Sequence, residues 1–351
     1  MKRWRFKLCA LPVFILHGIQ QCNTASWRQR LASEKTCLIS TENEIAPHAA
    51  AKSLLWEGDV EVFLDSLPES EKFALVVTSP PYNIGKPYEE TKELEEYLDW
   101  QKRVIGKCLN HLSDAGSICW QVGNFLEKGK TGKQSSIFPL DIAFFDLFRS
   151  YGLKLRNRII WHFGHGLHCK HRFSGRYEVI LWFTKTDDYY FDLDAVRVKS
   201  KYSGKKHFKG PNAGKYSGNP KGKNPEDLWK ISDNLITPWD QPVWEVPNVK
   251  SNHIEKTPHP CQFPVALIDR FVLSMTPPGS TVFDPFAGVA SAGVAALLNG
   301  RRFIGCEIFR DYVSIGRERL DAAITGTAKY RPFEKPLYDH RQSSLSVEPS
   351  Q

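Results

Sequence analysis

The chain has 351 residues, of which 41% are hydrophobic and 25% are charged, and its formal net charge is +8. These proportions exclude a mainly disordered or fibrous protein. The mean hydropathy is -0.38, and no apolar run reaches the roughly 18 residues that a membrane-spanning helix needs. The eight cysteines form no CxxC pair and have irregular spacing, which favours reduced thiols and a cytoplasmic location.

The first 50 residues are expected to lie outside the core fold. Four basic residues precede an apolar stretch at 8–16, as in a secretion signal, but no small-x-small cleavage site follows. We interpret residues 1–50 as an N-terminal extension, or as the product of a start codon assigned too far upstream.

Strand and helix patterns alternate along most of the remaining chain. β-branched apolar runs predict buried strands, and apolar residues at helical spacing predict amphipathic helices. In the first half, the predicted strands are 71–78, 116–122, 153–161 and 177–183, and the predicted helices are 90–109 and 137–151. In the second half, the predicted helices are 264–274, 291–298 and 311–323, and the predicted strands are 281–284 and 303–307. This alternation predicts an α/β sheet.

A segment of different character separates these two halves. Residues 199–225 are rich in Lys, Gly, Asn, Pro and Ser and lack both periodicities, which is typical of an insertion that is flexible unless bound. Ten basic residues from Arg197 to Lys230 are opposed only by Glu226 and Asp227, so this stretch accounts for the net charge of the whole chain. A solvated loop and a surface for a polyanion both fit such a charge.

The strand that ends at Thr78 runs into Ser79-Pro80-Pro81-Tyr82. Open α/β sheets bind ligands at the carboxyl ends of their strands, and two prolines make the turn stiff, with carbonyls free to accept hydrogen bonds. A hydroxyl and a carbonyl beside an aromatic ring suit a planar base with an exocyclic amine, because the ring stacks and the oxygens accept from the amine. The alternative is a turn with a structural role only.

A second motif joins a strand, a loop of small residues and a helix at 281–293. Its centre is Asp284-Pro285-Phe286-Ala287-Gly288, and Ser291 begins the predicted helix. Small residues let the backbone approach a ligand, and a helix N-terminus favours a carboxylate or phosphate. The pattern predicts a nucleotide-binding turn, while the absence of GxGxxG and of GxxxxGK(S/T) argues against a dinucleotide site and a P-loop.

A third motif is the acid at the end of the next predicted strand. Glu307 follows the loop by about 20 residues, the spacing at which an acid accepts hydrogen bonds from ribose hydroxyls. We therefore predict that Glu307 binds the sugar of a nucleotide-like ligand.

Together the three motifs resemble those of the DNA amino-methyltransferases that use S-adenosylmethionine. The first resembles the catalytic (D/N/S)PPY tetrapeptide, the second the cofactor loop, and Glu307 the ribose-binding acid. Residues 257–264 resemble the segment at the methionine end of the cofactor, and Gly58-Asp59 an element near its adenine. The order of the motifs is that of the family's beta group. The resemblance covers about residues 52–185 and 257–325.

The resemblance implies a fold, a cofactor and a set of site residues. The implied fold is α/β and Rossmann-like, with a mostly parallel seven-stranded sheet and an inserted target-recognition region. The implied cofactor is S-adenosyl-L-methionine, without a metal. The implied catalytic residues are Ser79, Pro80, Pro81 and Tyr82. The implied cofactor-binding residues are Asp59, Thr78, Phe263, Asp284, Pro285, Phe286, Ala287, Gly288, Ser291, Glu307 and Ile308.

The resemblance also divides the chain and names its partners. After the extension come a catalytic half at 51–185, a basic target-recognition insertion at 186–256, a cofactor-binding half at 257–330 and a tail at 331–351. Double-stranded DNA is the implied partner, and a cognate restriction endonuclease acting on the same site is a further candidate. A monomer or homodimer is expected. The implied DNA-binding residues are Lys201, Lys205, Lys206, Lys209, Lys215, Lys221 and Lys223.

The implied activity is methyl transfer to the exocyclic N4 of cytosine, by direct attack of the amine of a flipped-out base. In this family Ser at the first tetrapeptide position goes mostly with cytosine N4, and Asp or Asn with adenine N6. Ser79 therefore favours cytosine, and adenine N6 stays open. The alternatives from other classes are an RNA or protein methyltransferase and a non-catalytic DNA-binding protein on a degenerate methyltransferase fold.

Three features compete with this interpretation or depart from the family pattern. Ala290 replaces the last glycine of DPFxGxG, so that its methyl is expected close to the cofactor and is tolerated if φ stays negative. Pro260-Cys261 resembles the nucleophile of cytosine-C5 methyltransferases but precedes the loop, so Cys261 is expected to be a packing residue. His and Cys side chains crowd at 162–171 without a partner pair at zinc-finger spacing, so no metal site is predicted.

Overall fold

The computed structural model of the chain describes residues 53–83, 92–127, 136–163, 168–198, 200, 204–229, 246–250 and 253–332. The predicted N-terminal extension lies outside these residues, as does the predicted tail apart from Arg331 and Pro332. No helix within the described ranges is long and apolar enough to cross a lipid bilayer.

The described residues form strands, α-helices and one 3-10 helix at Asp194–Val196. The strands are β1 (Ser53–Glu57), β2 (Phe73–Thr78), β3 (Leu112–Val122), β4 (Asn124–Glu127), β5 (Ser136–Pro139), β6 (Lys154–His162), β7 (Tyr177–Thr184), β8 (Leu228–Trp229), β9 (Thr281–Asp284) and β10 (Arg302–Glu307). The helices are α1 (Val60–Ser66), α2 (Leu94–His111), α3 (Leu140–Ser150), α4 (Val265–Met275), α5 (Ser291–Leu298) and α6 (Arg310–Ile324).

The main sheet has the strand order β1-β10-β9-β2-β3-β7-β6-β8. Its neighbours pair in parallel except that β7 runs antiparallel to both β3 and β6. The predicted α/β class with a mostly parallel sheet is confirmed, and the two-residue strand β8 is added to its edge. Strands β4 and β5 form a separate antiparallel hairpin.

Helices cover both faces of the sheet. Helices α1, α2 and α3 lie on one face, and α4, α5 and α6 on the other. On the first face Phe63 of α1 packs on Phe283, which stacks on Phe73 at 4.4 Å between ring centroids. On the second face Leu75 and Val77 lie in the same buried cluster as α4 and α5. Because both faces are covered, central strand β9 is buried along its whole length.

Most predicted elements have nearly the predicted bounds. The strand at 281–284 and the helix at 291–298 match the sequence prediction. Helix α3 begins at Leu140 rather than 137, because residues 136–139 pair with β4. Helix α2 begins at Leu94 rather than 90. Strands β1, β4 and β8 were absent from the predicted elements.

The predicted insertion at 186–256 is attached to the core near both of its ends. Val196 and Val198 are buried in the main cluster, and Trp161 Nε1 donates to the Val246 carbonyl at 2.8 Å. Between these ends, isolated antiparallel bridges join Val198 to Lys223 and Lys206 to Tyr216. The described part of the segment is therefore folded as turns and short bridges rather than as a regular sheet.

Candidate active site

A cavity of about 570 Å³ opens at the carboxyl ends of β1, β2, β9 and β10. Its volume is typical of small-molecule sites, and its place is where open α/β sheets bind ligands. Every residue predicted to be catalytic or to bind the cofactor lines this cavity, except Thr78. The fold thus brings the three sequence motifs to one site.

Asp284 is a buried acid at the start of the small-residue loop. Its Oδ1 accepts from the Thr78 hydroxyl at 2.6 Å and from the Phe286 N–H at 3.1 Å. Burial raises the pKa of the Asp284 carboxyl from 3.8 to about 7; the two hydrogen bonds oppose this rise, and the charge of Glu307 adds to it. Thr78 therefore acts on the site through Asp284 and not as part of the cavity wall.

Glu307 is held in place by backbone donors. Its Oε2 accepts from the Gly288 N–H at 2.9 Å, and its Oε1 accepts from the Phe309 N–H at 2.8 Å. Burial raises the pKa of Glu307, and these backbone hydrogen bonds oppose the rise. Gly288 has φ of +53°, a left-handed conformation that glycine adopts without strain. The hydrogen bond from Gly288 therefore links the acid to the loop.

Asp59 caps helix α1 at the rim of the cavity. Its Oδ1 accepts from the N–H groups of Glu61 and Val62 at 2.9 and 3.1 Å, an ordinary N-cap. The side chain therefore has a structural role in addition to lining the cavity.

The Ser79–Tyr82 turn presents two hydroxyl groups to each other. Ser79 Oγ and Tyr82 Oη lie 2.9 Å apart, and Gln121 Nε2 donates to Tyr82 Oη at 3.1 Å. One of the turn carbonyls expected to be free to accept hydrogen bonds, that of Pro81, accepts from the Tyr97 hydroxyl at 2.8 Å. That hydrogen bond ties the turn to helix α2.

Asn83 is a turn residue that is not among the predicted site residues. It has φ of +60°, a conformation that Asn tolerates better than most residues. Its Nδ2 donates to the Lys92 carbonyl and its Oδ1 accepts from the Lys92 N–H, both at 2.7 Å. This pair of hydrogen bonds fixes the end of the Ser79–Tyr82 turn against Lys92.

Ala290 corrects the sequence prediction in two ways. Its φ is +58°, not negative, and its fully buried methyl is not part of the cavity wall. The methyl instead faces α6, where a Cβ added at Gly316 would lie 3.4 Å from it. The replacement of glycine therefore strains the backbone without narrowing the ligand site.

Residues of the 257–264 segment also line the cavity, and His259 lies beside Gly288 of the loop. Cys261 is exposed and lines the cavity, so its expected packing role is wrong. His259 Nδ1 accepts from the Cys261 N–H at 3.2 Å, which leaves the proton on Nε2. Burial lowers the pKa of His259 to about 4, and the charges of Lys256 and Arg319 contribute to that decrease. The neutral His259 ring packs edge-on against the Tyr312 ring, with 4.5 Å between the ring centroids.

Aromatic residues of the cavity wall are also absent from the predicted site residues. Trp100, on α2, lines the cavity and contacts Phe286 edge-to-face at 5.4 Å between ring centroids. Its only sequence signal is an aromatic residue on a predicted helix, which is equally typical of a core position.

The predicted DNA-binding lysines have different surroundings. Lys201 lies outside the described residues. Lys221 pairs with Asp194 at 2.6 Å, and Lys223 with Glu226 at 2.8 Å. The remaining four lie on the turn-rich segment 204–217, which the Lys206–Tyr216 bridge closes and which contains no acidic residue. They are Lys205, Lys206, Lys209 and Lys215.

The histidine-rich stretch is not assembled into a metal site within the described part of the chain. There, no group of three or more His, Cys, Asp or Glu side chains could hold a metal ion. His165, one of the residues of that stretch, lies outside the described ranges.

Comparison with known proteins gives a family match. The family model described as DNA methylase, of the N6/N4 methyltransferases, matches residues 73–318, which is more than half of the chain. The type II methyltransferase M.BglII of Bacillus subtilis is 43% identical over 298 residues, 85% of this chain and 76% of that protein. The DNA adenine methyltransferase YhdJ of Escherichia coli strain K12 is 31% identical over 278 residues, 78% of this chain and 84% of that protein.

A solved structure supports the same fold. TTHA0409 of Thermus thermophilus, solved with S-adenosyl-L-methionine, has a TM-score of 0.54 and 23% sequence identity to this chain. The similarity covers 81% of this chain and 99% of that protein.

Proposed function

Because the chain belongs to the N6/N4 DNA methylase family, we propose that it is a site-specific DNA methyltransferase that methylates the exocyclic N4 of cytosine in duplex DNA. The observation that carries this proposal is the meeting of the Ser79–Tyr82 turn and the Glu307 loop in one cavity. The similarity to a type II methyltransferase supports a role in a restriction-modification system. A cognate endonuclease, a cytoplasmic location and a monomeric or homodimeric state belong to the same proposal.

The cavity fits S-adenosyl-L-methionine as the methyl donor. Glu307, the acid at the end of β10, would accept from the ribose hydroxyls, and two backbone N–H groups hold its carboxylate in place. Phe286 and Ile308 line the cavity with apolar surface for an adenine ring. Ser291 begins helix α5, whose N-terminus favours a carboxylate, and the neutral His259 also lines the cavity. When bound, the cofactor supplies a methyl group on a positively charged sulfonium.

The residues of the turn would hold and orient the target amine. Ser79 Oγ and the Pro80 carbonyl are acceptors for the amine hydrogens, so that the nitrogen lone pair is directed toward the methyl group. Tyr82 would stack on the flipped base, an interaction of about 1–3 kcal/mol. The contribution of the protein is then proximity, orientation and acceptors for the developing positive charge, without a covalent enzyme intermediate.

Cytosine N4 is preferred over adenine N6 because of Ser79, as the family pattern implies. The second candidate, adenine N6, is favoured by the relative named a DNA adenine methyltransferase. Both reactions use the same turn and cavity, so the target base must be identified by product analysis.

The direct test is nucleoside mass spectrometry of unmethylated DNA incubated with the protein and S-adenosylmethionine. N4-methylcytosine is the expected product. N6-methyladenine would retain the mechanism and overturn the base assignment. The absence of any methylated base, with cofactor binding measured separately, would overturn the assignment as a DNA methyltransferase.

A substitution of Tyr82 tests the site. We expect Tyr82→Ala to lose activity while cofactor binding survives, because the ring contacts the base rather than the cofactor in this proposal. Tyr177→Ala is the matched control, since Tyr177 is 46% exposed and is not part of the cavity wall. Normal methylation by Tyr82→Ala would show that the turn is not the catalytic element.

For DNA binding, the proposed surface is the segment 204–217. It carries four lysines without an acid, and Phe208 at its centre is 94% exposed. Lysines neutralise phosphates and release counterions, and an exposed aromatic side chain offers a surface for bases. Together they support this segment as part of the target-recognition region.

A further inference from the structure

A carboxylate on the antiparallel strand β7 reaches the catalytic turn. Tyr82 Oη donates to Glu178 Oε2 at 3.3 Å, and Tyr82 Oη is 2.9 Å from Ser79 Oγ. Glu178 is near the start of β7, does not line the cavity and belongs to none of the sequence motifs. The three side chains form a hydrogen-bonded series that ends at the residue proposed to hold the target amine.

The direction of the protons in this series follows from the chemistry of its members. An ionised carboxylate only accepts, so Tyr82 must donate its single O–H to Glu178. The remaining lone pairs of Tyr82 Oη accept from Gln121 Nε2 at 3.1 Å and from the Ser79 hydroxyl. Ser79 therefore directs its own hydrogen toward Tyr82, and the lone pairs of its oxygen are left for an amine.

Gln121 reinforces this direction. It is 2% exposed, and its Nε2 also donates to Glu178 Oε2. A reversed amide would place Oε1 against the carboxylate, where two acceptors repel. Burial raises the pKa of Tyr82 well above its ordinary value, and the charge of Glu178 adds to the rise, so the phenol keeps the proton that it donates.

Gly123 gives the tyrosine ring the space it needs. A Cβ added at Gly123 would lie 3.2 Å from the Tyr82 ring and 3.9 Å from Glu178 Oε1. The first distance is tighter than ordinary van der Waals contact. The end of β3 therefore packs closely enough on Tyr82 to keep its hydroxyl between Ser79 and Glu178.

We propose that Glu178 is a positioning residue, which orients the Ser79 oxygen through Tyr82 so that it accepts from the target amine. This inference rests on the proposed function and deepens it. It also explains how a neutral serine serves where related enzymes have a carboxylate, since the charge of Glu178 lies two hydrogen bonds away.

Glu178→Gln tests this proposal, because the amide retains the size of the side chain and can donate to Tyr82 Oη. Donation from residue 178 would reverse the series and turn the Ser79 hydrogen toward the amine. We expect kcat to fall by about ten- to hundredfold, the effect of losing a hydrogen bond to a charged group. The Kd for S-adenosylmethionine and for DNA should stay within about twofold, since Glu178 does not line the cavity and Gln keeps the size of the side chain.

Tyr82→Phe removes the middle hydroxyl but keeps the stacking ring. It should lower kcat by a similar factor. The kcat of the double variant should equal the lower of the two single-variant values, because either change breaks the same hydrogen-bonded series. The matched controls are Glu69→Gln and Tyr177→Phe, which alter exposed residues away from the cavity.

Three results would overturn the proposal. One is a normal kcat for Glu178→Gln. Another is multiplication of the two single losses in the double variant. The third is loss of cofactor binding or of thermal stability in parallel with kcat, which indicates a purely structural role. A different result would contradict the proposed function, namely that the unsubstituted protein forms no methylated base in DNA. That result would also exclude the role proposed for Glu178.

Discussion

Replacing Asp284 with Asn should stabilise the protein at alkaline pH. Asp284 is 2% exposed, and burial raises its pKa from 3.8 to about 7 despite the hydrogen bonds from Thr78 and Phe286. An Asn Oδ1 accepts the same two hydrogen bonds, and its amide carries no charge to desolvate. The substitution therefore keeps the local geometry and removes the unfavourable ionisation.

The magnitude follows from the two pKa values. A rise from 3.8 to about 7 corresponds to about 4 kcal/mol of unfavourable ionisation in the native state. Between these pH values the native carboxyl retains its proton and the unfolded carboxyl does not, so the native state binds more protons and stability falls as pH increases. The gain from Asp284→Asn should be near zero at pH 4, grow through this interval and reach at most about 4 kcal/mol above pH 7.

Urea denaturation at pH 4, 5, 6, 7 and 8 measures this gain as the difference in unfolding free energy between variant and parent. Asp194→Asn is the matched control, because hydrogen bonds from Lys221 and Arg197 lower the pKa of that exposed carboxyl. That control should be less stable than the parent by an amount that hardly changes from pH 5 to 8, because the Asp194 carboxyl is ionised in both the native and the unfolded state at these pH values. A variant Asp284→Asn that is no more stable than the parent at pH 8, or whose gain is the same at every pH, would refute the reasoning.

Three further substitutions give independent tests. Glu307→Gln should raise the Kd for S-adenosylmethionine about ten- to hundredfold in titration calorimetry, because the amide cannot accept from both backbone N–H groups and lacks the charge; an unchanged Kd would remove Glu307 from the binding site. Ala290→Gly should change the unfolding free energy by no more than about 1 kcal/mol, since relief of the left-handed strain is offset by removal of the buried methyl and by the freer unfolded chain; a large loss of stability would contradict this balance. Combined Lys→Gln changes at 205, 206, 209 and 215 should weaken DNA binding and reduce the slope of log K against log salt by about 0.9 for each phosphate that is no longer neutralised; an unaltered slope would place the DNA elsewhere.

The central part of the fold could be predicted from the sequence because local pattern and tertiary environment agree there. Strand β9 is a short strand that both helical layers bury, and α5 begins directly after the small-residue loop. In contrast, β8 has only two residues, and its assignment depends on pairing with the edge of β6. A periodicity of two cannot be seen in so short a segment.

The conformation of Ala290 could not be predicted from residue preferences. Non-glycine residues rarely have positive φ, so a negative value is the natural expectation. Two hydrogen bonds of the loop require the positive φ. The Ala290 N–H donates to the Ala287 carbonyl at 2.7 Å, and the Ala290 carbonyl accepts from the Val294 N–H in the first turn of α5. The chain must turn between these two hydrogen bonds, and Gly316 on α6 leaves room for the methyl.

Glu178 was missed for a reason that lies in the topology of the sheet. From the sequence, functional groups are expected at the carboxyl ends of parallel strands, where ligands bind. Strand β7 runs the other way, with Val122 paired to Val179, so its first residues lie at the edge where β3 ends. An acid at the start of an antiparallel strand therefore reaches the same site as a motif at the end of a parallel one. In a mixed sheet of this kind, the beginning of the reversed strand is as strong a candidate for functional residues as the ends of its neighbours.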